Sequence, residues 1–239
     1  MSGDVLYQIL RTLLDVSIWG GELVGEENLS QKEPAVYVAN HALALGPIAV
    51  YSSLPVHLYT WAIGDMMDRS RAAAYLNKDF VEPQLHIPPP LSIPFSRFLS
   101  QITVRLLWSV KCIPVWQGEE LLETYRMSLD YLQKGRNLLI FPEDPALPRD
   151  EQCNMSPFKK GFARLGEMYY ERTKNILRFY PIAVHPRLRQ VKLGRPISFN
   201  PNNKPANERV RIKSVLESVI RNMYLDMTLQ SYAGIPLPH

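Results

Sequence analysis

Several common signatures of function are missing or scarce in this chain of 239 residues. Its two cysteines, Cys112 and Cys153, exclude a disulfide framework and a cysteine-based zinc site, and they indicate a reducing compartment. The sequence has no G-x-S-x-G elbow of a hydrolase, no G-x-G-x-x-G turn and no P-loop. Histidine and cysteine match no metal-site spacing, so we expect no metal and no bound cofactor.

Long apolar runs and a basic N-terminus are also absent. No stretch is long and apolar enough to span a bilayer, and Met1 to Asp4 lacks the basic region of a signal peptide. The sequence therefore predicts a cytoplasmic protein that is either soluble or bound to a membrane surface. Hydrophobic residues make up 46% of the chain, which is enough for the core of one large domain.

Short apolar runs rich in strand formers alternate with helical patterns along the chain. The clearest strand-like runs are Ala35 to Ala39, Asn137 to Phe141 and Arg178 to Val184. Amphipathic stretches such as Glu119 to Lys134, which Gly135 closes, stand between them. This order predicts an α/β fold: a single layered domain with a largely parallel sheet flanked by helices, and a site at the carboxyl ends of the strands.

Three segments are predicted along the chain. In residues 1–29 an apolar stripe indicates an amphipathic helix. This helix either packs on the domain or binds in a membrane interface, and the sequence allows both alternatives. Residues 30–200 contain the alternating elements. Residues 201–239 contain a loop and a helix that we expect to pack on the domain. Within the second segment, the proline-rich residues 79–97 are predicted to be irregular, as a lid or wall over the site.

One polar pair directly follows a predicted strand. Asn40 and His41 come after the run Ala35 to Ala39, and Gly46-Pro47 is predicted to open the next helix. A histidine between a strand end and a helix start can face the site, where a pKa near neutrality suits a general base. On this stretch alone, a histidine satisfied by nearby main chain is the alternative.

Five pieces of the sequence, in order, resemble one enzyme family. They are Asn40-His41, Lys111 to Val115, Gly135 to Glu143, Pro157 to Gly161 and Tyr180 to Val184. Together they resemble the blocks of the glycerolipid acyltransferases, enzymes like lysophosphatidate acyltransferase, over residues 30–200. The resemblance implies a parallel-rich sheet, peripheral membrane contact, and transfer of an acyl group from a coenzyme A or carrier-protein thioester to a hydroxyl.

The resemblance also implies roles for individual residues. His41 matches the family's histidine, which removes the proton of the attacking hydroxyl while hydrogen-bond donors stabilise the oxyanion. The residues expected to bind substrate are Asn40, Gln117, Phe141, Pro142, Lys159 and Lys160.

Three positions depart from the family's pattern. Gly46 stands where the family has the carboxylate that orients the histidine. The segment Val115 to Gln117 and the segment Phe141 to Ala146 both lack the arginine that grips the acceptor's phosphate in the family. Because a guanidinium fork is the natural partner of phosphate, we expect an acceptor without a phosphomonoester, such as a lipid or an alcohol.

Two functions fit these departures. The first is an acyltransferase in which Glu143 or Asp144 supplies the carboxylate that Gly46 lacks, because the ends of the two strands should lie side by side. The second is a catalytically silent relative that binds lipid or acyl thioester as a carrier or accessory subunit. An aspartate in place of Gly46 is expected to raise the activity of the first, provided that the site tolerates a side chain.

The late part of the chain is basic. Residues 155–195 carry ten lysines and arginines against two acidic residues, Glu167 and Glu171. No nucleic-acid module is recognisable, and a solvated basic face is the simplest interpretation. Given the resemblance, anionic headgroups of a membrane surface or the phosphates of coenzyme A explain the charge better than nucleic acid.

Overall fold

The computed structural model describes residues 12–29, 33–42 and 45–233. The strands are β1 (Glu22–Val24), β2 (Ala35–Ala39), β3 (Leu58–Ile63), β4 (Ile113–Val115), β5 (Asn137–Ile140), β6 (Arg178–His185), β7 (Gln190–Leu193) and β8 (Ile197–Ser198). The α-helices are α1 (Leu45–Ser53), α2 (Gly64–Met67), α3 (Ala72–Leu76), α4 (Ser92–Ser109), α5 (Leu121–Gln133), α6 (Arg164–Thr173) and α7 (Pro205–Ala233).

The chain forms two compact units. The first contains Met1–Leu58 and Tyr131–His239, and the second contains Tyr59–Asp130. The three segments predicted from the sequence, 1–29, 30–200 and 201–239, follow the motif blocks instead of this division. Strands β3 and β4 belong to the second unit, and the other six strands belong to the first.

The sheet of the first unit follows the order β1-β7-β6-β2-β5. Strand β2 runs parallel to both β5 and β6, and β1 runs parallel to β7. Strands β7 and β8 pair with β6 in the antiparallel sense. The predicted α/β class with a largely parallel sheet flanked by helices is therefore confirmed.

Strand β2 lies between β5 and β6 in this sheet. All five of its residues are buried, as expected for a strand with a hydrogen-bonded neighbour on each side and cover on both faces. Its Tyr37 stacks on Tyr180 of β6, with ring centroids 5.1 Å apart. Trp19, Leu54 and Leu139 belong to the same core. This core fixes the carboxyl ends of β2, β5 and β6 at one edge.

Helix α7 (Pro205–Ala233) lies in the segment where the sequence predicted a loop and a helix, and it packs on β6. Its buried apolar side chains recur three or four residues apart, as on one face of a helix. They are Ile212, Leu216, Ile220, Met223 and Met227.

A buried carboxylate lies at the start of α7. Glu208 is fully buried, and it accepts hydrogen bonds from the side chains of Arg211 and Asn203 and from the main-chain N–H of Asn200. Burial raises the pKa of Glu208, but these hydrogen bonds outweigh it and lower the pKa to about 2. The carboxylate therefore stabilises the folded state only in its ionised form.

The second unit differs from the prediction for residues 79–97. Helix α4 begins at Ser92, inside the stretch predicted to be irregular, and it includes Pro94. The prediction was wrong there because proline is tolerated in the first turn, where its missing N–H has no partner in the helix. Before α4, the chain forms α2, α3 and a π-helical turn, Asn77–Val81. Strand β3 pairs in parallel with β4.

The predicted N-terminal helix lies partly outside the described residues, since these begin at residue 12. What is described ends in a π-helical turn, Asp15–Trp19. Trp19 is buried, and its carbonyl accepts a hydrogen bond from the Arg189 guanidinium at 2.8 Å. Leu13 and Val16 are exposed. Among the described residues, no helix is long and apolar enough to cross a membrane.

Candidate functional site

Asn40 and His41 leave the carboxyl end of β2 at the edge of the sheet. Because β2, β5 and β6 are parallel, the residues that follow each strand meet at the same edge. Phe141, Pro142 and Glu143 follow β5 there. The sequence predicted this meeting of the two turns, and their hydrogen bonds confirm it.

The side chain of Asn40 is used to join two strands. Its Nδ2 donates to the carbonyl of Val184 at 3.0 Å, and its Oδ1 accepts from the N–H of Val184 at 2.7 Å. Asn40 is 2% exposed. The amide therefore extends the β2–β6 pairing by one residue and fixes the direction in which the chain enters the His41 turn. A substrate contact of Asn40 stays a prediction.

Glu143 connects three segments through its carboxylate. Oε1 accepts a hydrogen bond from the main-chain N–H of His41 at 2.6 Å, and Oε2 accepts one from the main-chain N–H of Ser156 at 3.0 Å. Hydrogen bonds to an ionised acceptor are short and about twice as strong as neutral ones. Glu143 thereby fixes the His41 turn relative to β5 and to the segment that precedes α6.

The ring of Phe141 lies against the imidazole of His41. The two ring centroids are 5.2 Å apart, with an interplanar angle of 60°, which is an edge contact. His41 itself is exposed at this edge, and Phe141 is half-buried. The aromatic contact limits the orientations of the histidine ring while one side of it stays accessible.

Pro142 and Asp144 attach the β5 turn to the Lys159 segment. The carbonyl of buried Pro142 accepts the N–H of Lys159 at 2.8 Å, and Glu143 forms an isolated antiparallel bridge with Phe158. The Asp144 carboxylate lies 3.3 Å from the Lys159 ammonium and accepts the N–H of Ala146 at 3.2 Å. Of the two carboxylates predicted to serve His41, it is Glu143 that bonds its main chain, and Asp144 pairs with a lysine.

The remaining predicted residues lie elsewhere in the chain. Lys160 is exposed and directly precedes a 3-10 turn, Gly161–Ala163. Gln117 belongs to the second unit, where it is exposed and extended just before the 3-10 turn Gly118–Glu120. Its predicted contact with substrate stays a prediction.

Gly46 stands where the sequence resemblance led us to expect an orienting carboxylate. It lies in α1, and a Cβ built on it would stand 1.9 Å from the carbonyl oxygen of His41 and 3.1 Å from that of Asn40. Such distances require the main chain to move, so a side chain at Gly46 must displace the His41 turn. The expectation that an aspartate there raises activity depended on a site that tolerates a side chain, and this turn does so only if its main chain shifts.

Two contributors to the site, Ser156 and Val184, were not predicted from the sequence. Ser156 donates its main-chain N–H to Glu143, and its hydroxyl donates to the carbonyl of Leu147 at 3.1 Å. Val184 offers only its main chain to Asn40. Because both act through backbone groups that every residue has, their side-chain types carry no signal. Only the position of Ser156, next to the Pro157 block, pointed toward the site.

A depression of about 640 Å³ lies at the opposite end of the same sheet, where β6 begins. It is lined by Arg178, Phe199 and Arg211, among others. Arg178 pairs with Glu33 at 2.8 Å, and Arg211 pairs with Glu208 at 2.6 Å. Both cations in its wall are already engaged, so this volume adds nothing to the His41 site.

No group of three or more metal-ligating side chains occurs in the part of the chain that the structure describes. Burial lowers the pKa of His185. Its ring stacks on Tyr224 and its Nε2 lies 3.1 Å from the Thr228 hydroxyl. We assign His185 to the packing of α7 on β6.

No family model matches the sequence, and no curated protein matches it. A solved structure with a similar fold is the crystal structure of the 1-acyl-sn-glycerophosphate (LPA) acyltransferase PlsC from Thermotoga maritima. The TM-score is 0.58, the sequence identity is 13%, and the match covers 95% of this chain and 81% of that one. This likeness shows an acyltransferase-like fold.

Proposed function

We propose that this chain transfers an acyl group from a coenzyme A or carrier-protein thioester to a hydroxyl acceptor, with His41 as the general base. The observation that carries the proposal is the edge at which His41, Phe141 and Glu143 meet, at the carboxyl ends of parallel strands. In α/β sheets this edge is where ligands bind and catalytic groups are presented. The acyltransferase-like fold supports the same function.

The reaction needs one group that takes up a proton and then returns it. The imidazole of His41 removes the proton of the acceptor hydroxyl as its oxygen attacks the thioester carbonyl carbon. The tetrahedral intermediate then collapses, the carbon–sulfur bond breaks, and the thiolate takes the proton back from the imidazolium. The products are an ester and a free thiol, and no metal or redox partner is required.

Three residues position the base in this proposal. Asn40 directs the chain into the turn, Glu143 holds the turn by the main-chain N–H of His41, and Phe141 contacts the ring. Together they replace part of the ordering that the family obtains from a carboxylate at the position of Gly46. Correct orientation of the base raises the reaction rate many-fold, because a small displacement of a catalytic group lowers the rate strongly.

The acceptor in this proposal lacks a phosphomonoester, as in a lipid or an alcohol. The Asp144 carboxylate already pairs with Lys159, and no arginine follows β5 in the segment up to Ala146. The exposed cations of residues 155–195, such as Lys160 and Arg195, are proposed to serve the phosphates of the donor or anionic headgroups at a membrane surface.

A catalytically silent carrier or accessory subunit is the second candidate. The observation that favours it is the room at Gly46, where an added Cβ would stand 1.9 Å from the His41 carbonyl oxygen, so the orienting carboxylate of the resembled family does not fit without a shift of the main chain. Loss of the equivalent carboxylate in a serine-protease triad lowers turnover by about 10⁴. Such a protein would still bind acyl thioesters or lipids.

Thiol release distinguishes the two candidates. Purified protein is incubated with acyl-CoA or acyl-carrier protein and a panel of alcohol, amine and lysolipid acceptors, and free thiol and ester are both measured. We expect His41→Gln to lower acceptor-dependent transfer by about 10²-fold or more, the usual contribution of a general base. The matched control is His86→Gln, an exposed histidine of the second unit.

The contrary result is equally specific. If the unaltered chain releases no more thiol than His41→Gln while both bind acyl-CoA equally in a calorimetric titration, the transferase is excluded. The carrier or accessory function then stands. Thiol release that is independent of acceptor would instead indicate a thioester hydrolase.

A further inference from the structure

Helix α4 of the second unit has its apolar and polar faces reversed relative to an ordinary surface helix. Its buried face is formed by Ser92, Ser96, Ser100 and Val104, spaced four residues apart. Its exposed face is apolar: Phe98 is 62% exposed and Ile102 is 50% exposed. Leu91, Phe95 and Leu106 continue that face three or four residues apart.

The buried serines explain how this reversal is compatible with folding. Helix α4 packs on α2, α3 and the π-helical turn, and small side chains permit a close approach of helices. The Ser96 hydroxyl donates to the carbonyl of Ile93 at 2.9 Å, and the Ser100 hydroxyl donates to that of Arg97 at 2.8 Å. The Ser92 hydroxyl donates to the Glu82 carboxylate at 3.0 Å, so all three buried hydroxyls have partners, and the large apolar side chains are left outside.

The charge around this face has one sign. Between Glu82 and Glu119 the sequence has three basic residues, Arg97, Arg105 and Lys111, and no acidic one. All three are exposed. Contiguous exposed apolar surface with a basic rim is unusual on a soluble protein and marks an interaction site.

A depression of about 240 Å³ lies along α4. It is lined by the exposed residues Arg69, Gln101 and Arg105 and by Ser100 and Val104 of the buried face. In the described part of the chain, no carboxylate pairs with Arg69 or Arg105. Two unpaired guanidinium groups side by side suit an anionic phosphate.

We propose that α4 lies in the interface of an anionic lipid bilayer, with Phe98, Ile102 and Leu106 among the acyl chains and Arg69 and Arg105 on lipid phosphates. An amphipathic helix with cations beside its apolar face binds a membrane in this way. The helix is not apolar enough to span the bilayer, which agrees with an interfacial position. This proposal extends the membrane association included in the proposed function by naming the surface that makes it.

A lipid surface fits the observations better than a protein partner or a second copy. The depression offers guanidinium groups without fixed carboxylate partners, and lipid phosphates supply many equivalent anions at one plane. A protein partner would need a surface complementary to both the exposed apolar face of α4 and the guanidinium groups of Arg69 and Arg105. Those alternatives remain outcomes of the test.

Vesicle flotation tests the proposal without any acyl donor, so its result is independent of catalysis. The probes are vesicles of phosphatidylcholine alone and of phosphatidylcholine with about a third phosphatidylglycerol, an anionic fraction that produces a negative surface potential. We expect the double variant Phe98→Glu and Ile102→Glu to weaken binding to anionic vesicles by roughly tenfold or more, because apolar burial is replaced by charge repulsion. The matched control is Leu229→Glu, a similarly exposed apolar residue of α7.

The arginines are tested separately. We expect Arg69→Gln with Arg105→Gln to weaken binding to anionic vesicles by about fivefold per arginine and to leave the weak binding to neutral vesicles unchanged. Arg126→Gln, an exposed arginine of α5, is the charge-matched control and should bind normally. Circular dichroism and thermal unfolding confirm that each variant is folded.

Two results would overturn the proposal. If the unaltered chain floats with anionic vesicles and the α4 variants float equally well, another surface binds the membrane. If the unaltered chain binds no vesicle but self-associates in sedimentation, and Phe98→Glu with Ile102→Glu abolishes that association, α4 binds a second copy. In either case thiol release from acyl thioesters is unaffected and still tests the transferase.

Discussion

The carboxylate of Glu143 bonds the main chain of His41, with 2.6 Å between Oε1 of Glu143 and the amide nitrogen of His41. The same carboxylate accepts the N–H of Ser156 at 3.0 Å. One side chain thus holds the turn that carries the proposed base to the end of a neighbouring strand. The chain positions its histidine by holding the backbone, and the effects of substitutions around the site follow from that.

Glu143→Gln should lower both stability and transfer. The amide offers one oxygen for two N–H donors, and its NH₂ group faces one of them. We therefore expect the free energy of unfolding to fall by about 1–2 kcal/mol. Displacement of the His41 turn should lower acceptor-dependent transfer by about tenfold. Chemical denaturation and thiol release measure the two effects.

Asp144→Asn is the matched control for Glu143→Gln. It keeps an oxygen for the N–H of Ala146 and loses only the ion pair with Lys159, whose side chain is 61% exposed. Exposed ion pairs contribute little to stability, so we expect Asp144→Asn to lower the free energy of unfolding by less than about 1 kcal/mol. A large loss of transfer in a fully stable Asp144→Asn would contradict this assignment and show that Asp144 acts in the chemistry.

Substitution of Gly46 should be harmful whatever replaces it. A Cβ there stands 1.9 Å from the His41 carbonyl oxygen, so Gly46→Ala and Gly46→Asp should each cost about 1–3 kcal/mol and lower transfer. Comparison of the two isolates the carboxylate, because both carry the same Cβ. Higher transfer by Gly46→Asp than by Gly46→Ala would show that a carboxylate at this position still orients His41.

Asn40→Asp should destabilise the fold most at neutral pH. An introduced carboxylate can accept the N–H of Val184, but it repels the Val184 carbonyl that Asn40 now donates to. Burial and this repulsion raise the folded-state pKa of the introduced carboxyl above its unfolded value of about 3.9. Its protonated form can donate in place of the amide, so stability relative to the unaltered chain is lost as pH rises through the raised pKa.

We expect the free energy of unfolding of Asn40→Asp to be about 2 kcal/mol lower than that of the unaltered chain at pH 7, and this difference to narrow toward pH 4. Urea denaturation of both proteins at several pH values measures it. A difference that is independent of pH would show that the cost of Asn40→Asp does not arise from ionisation.

Glu208 should make stability fall in acid. Its folded-state pKa is lowered from 4.5 to about 2, so its contribution is fully present above pH 4.5 and is lost as pH falls through about 2. A shift of this size corresponds to at most about 3 kcal/mol. Glu208→Gln should lack this part of the pH dependence, and Glu171→Gln, an exposed carboxylate on α6, should retain it. Equal acid profiles for Glu208→Gln and the unaltered chain would contradict the assignment.

The fold class and the edge that carries the site were predictable from the sequence. Apolar runs of strand length, separated by helical periods, indicate parallel strands whose carboxyl ends share an edge. That rule alone placed the turns containing His41 and Glu143 together, since each follows such a run. The helix boundaries were less predictable: Pro94 suggested irregular chain, yet it occupies the first turn of α4.

Three features depended on the tertiary structure. The sequence has a glycine at position 46, but the 1.9 Å between a Cβ added there and the His41 carbonyl oxygen follows from how the His41 turn enters α1 in the folded chain. The sequence places Glu143 directly after a predicted strand. That its carboxylate bonds the main-chain N–H of His41 depends on how the two turns meet in the folded chain. The sequence predicted irregular chain up to residue 97, but α4 begins at Ser92 and the burial of its serine face depends on packing in the folded unit.

The physical reason is the range of the interactions involved. Periodicity, turn residues and strand propensity act between neighbours in the chain, so the sequence determined the order of elements and the edge to which His41 belongs. Contacts between residues about a hundred positions apart, such as His41 with Glu143, depend on packing distances that no local pattern encodes. The serine face of α4 is buried because small side chains fit against α2 and α3, and that fit exists only in the folded chain.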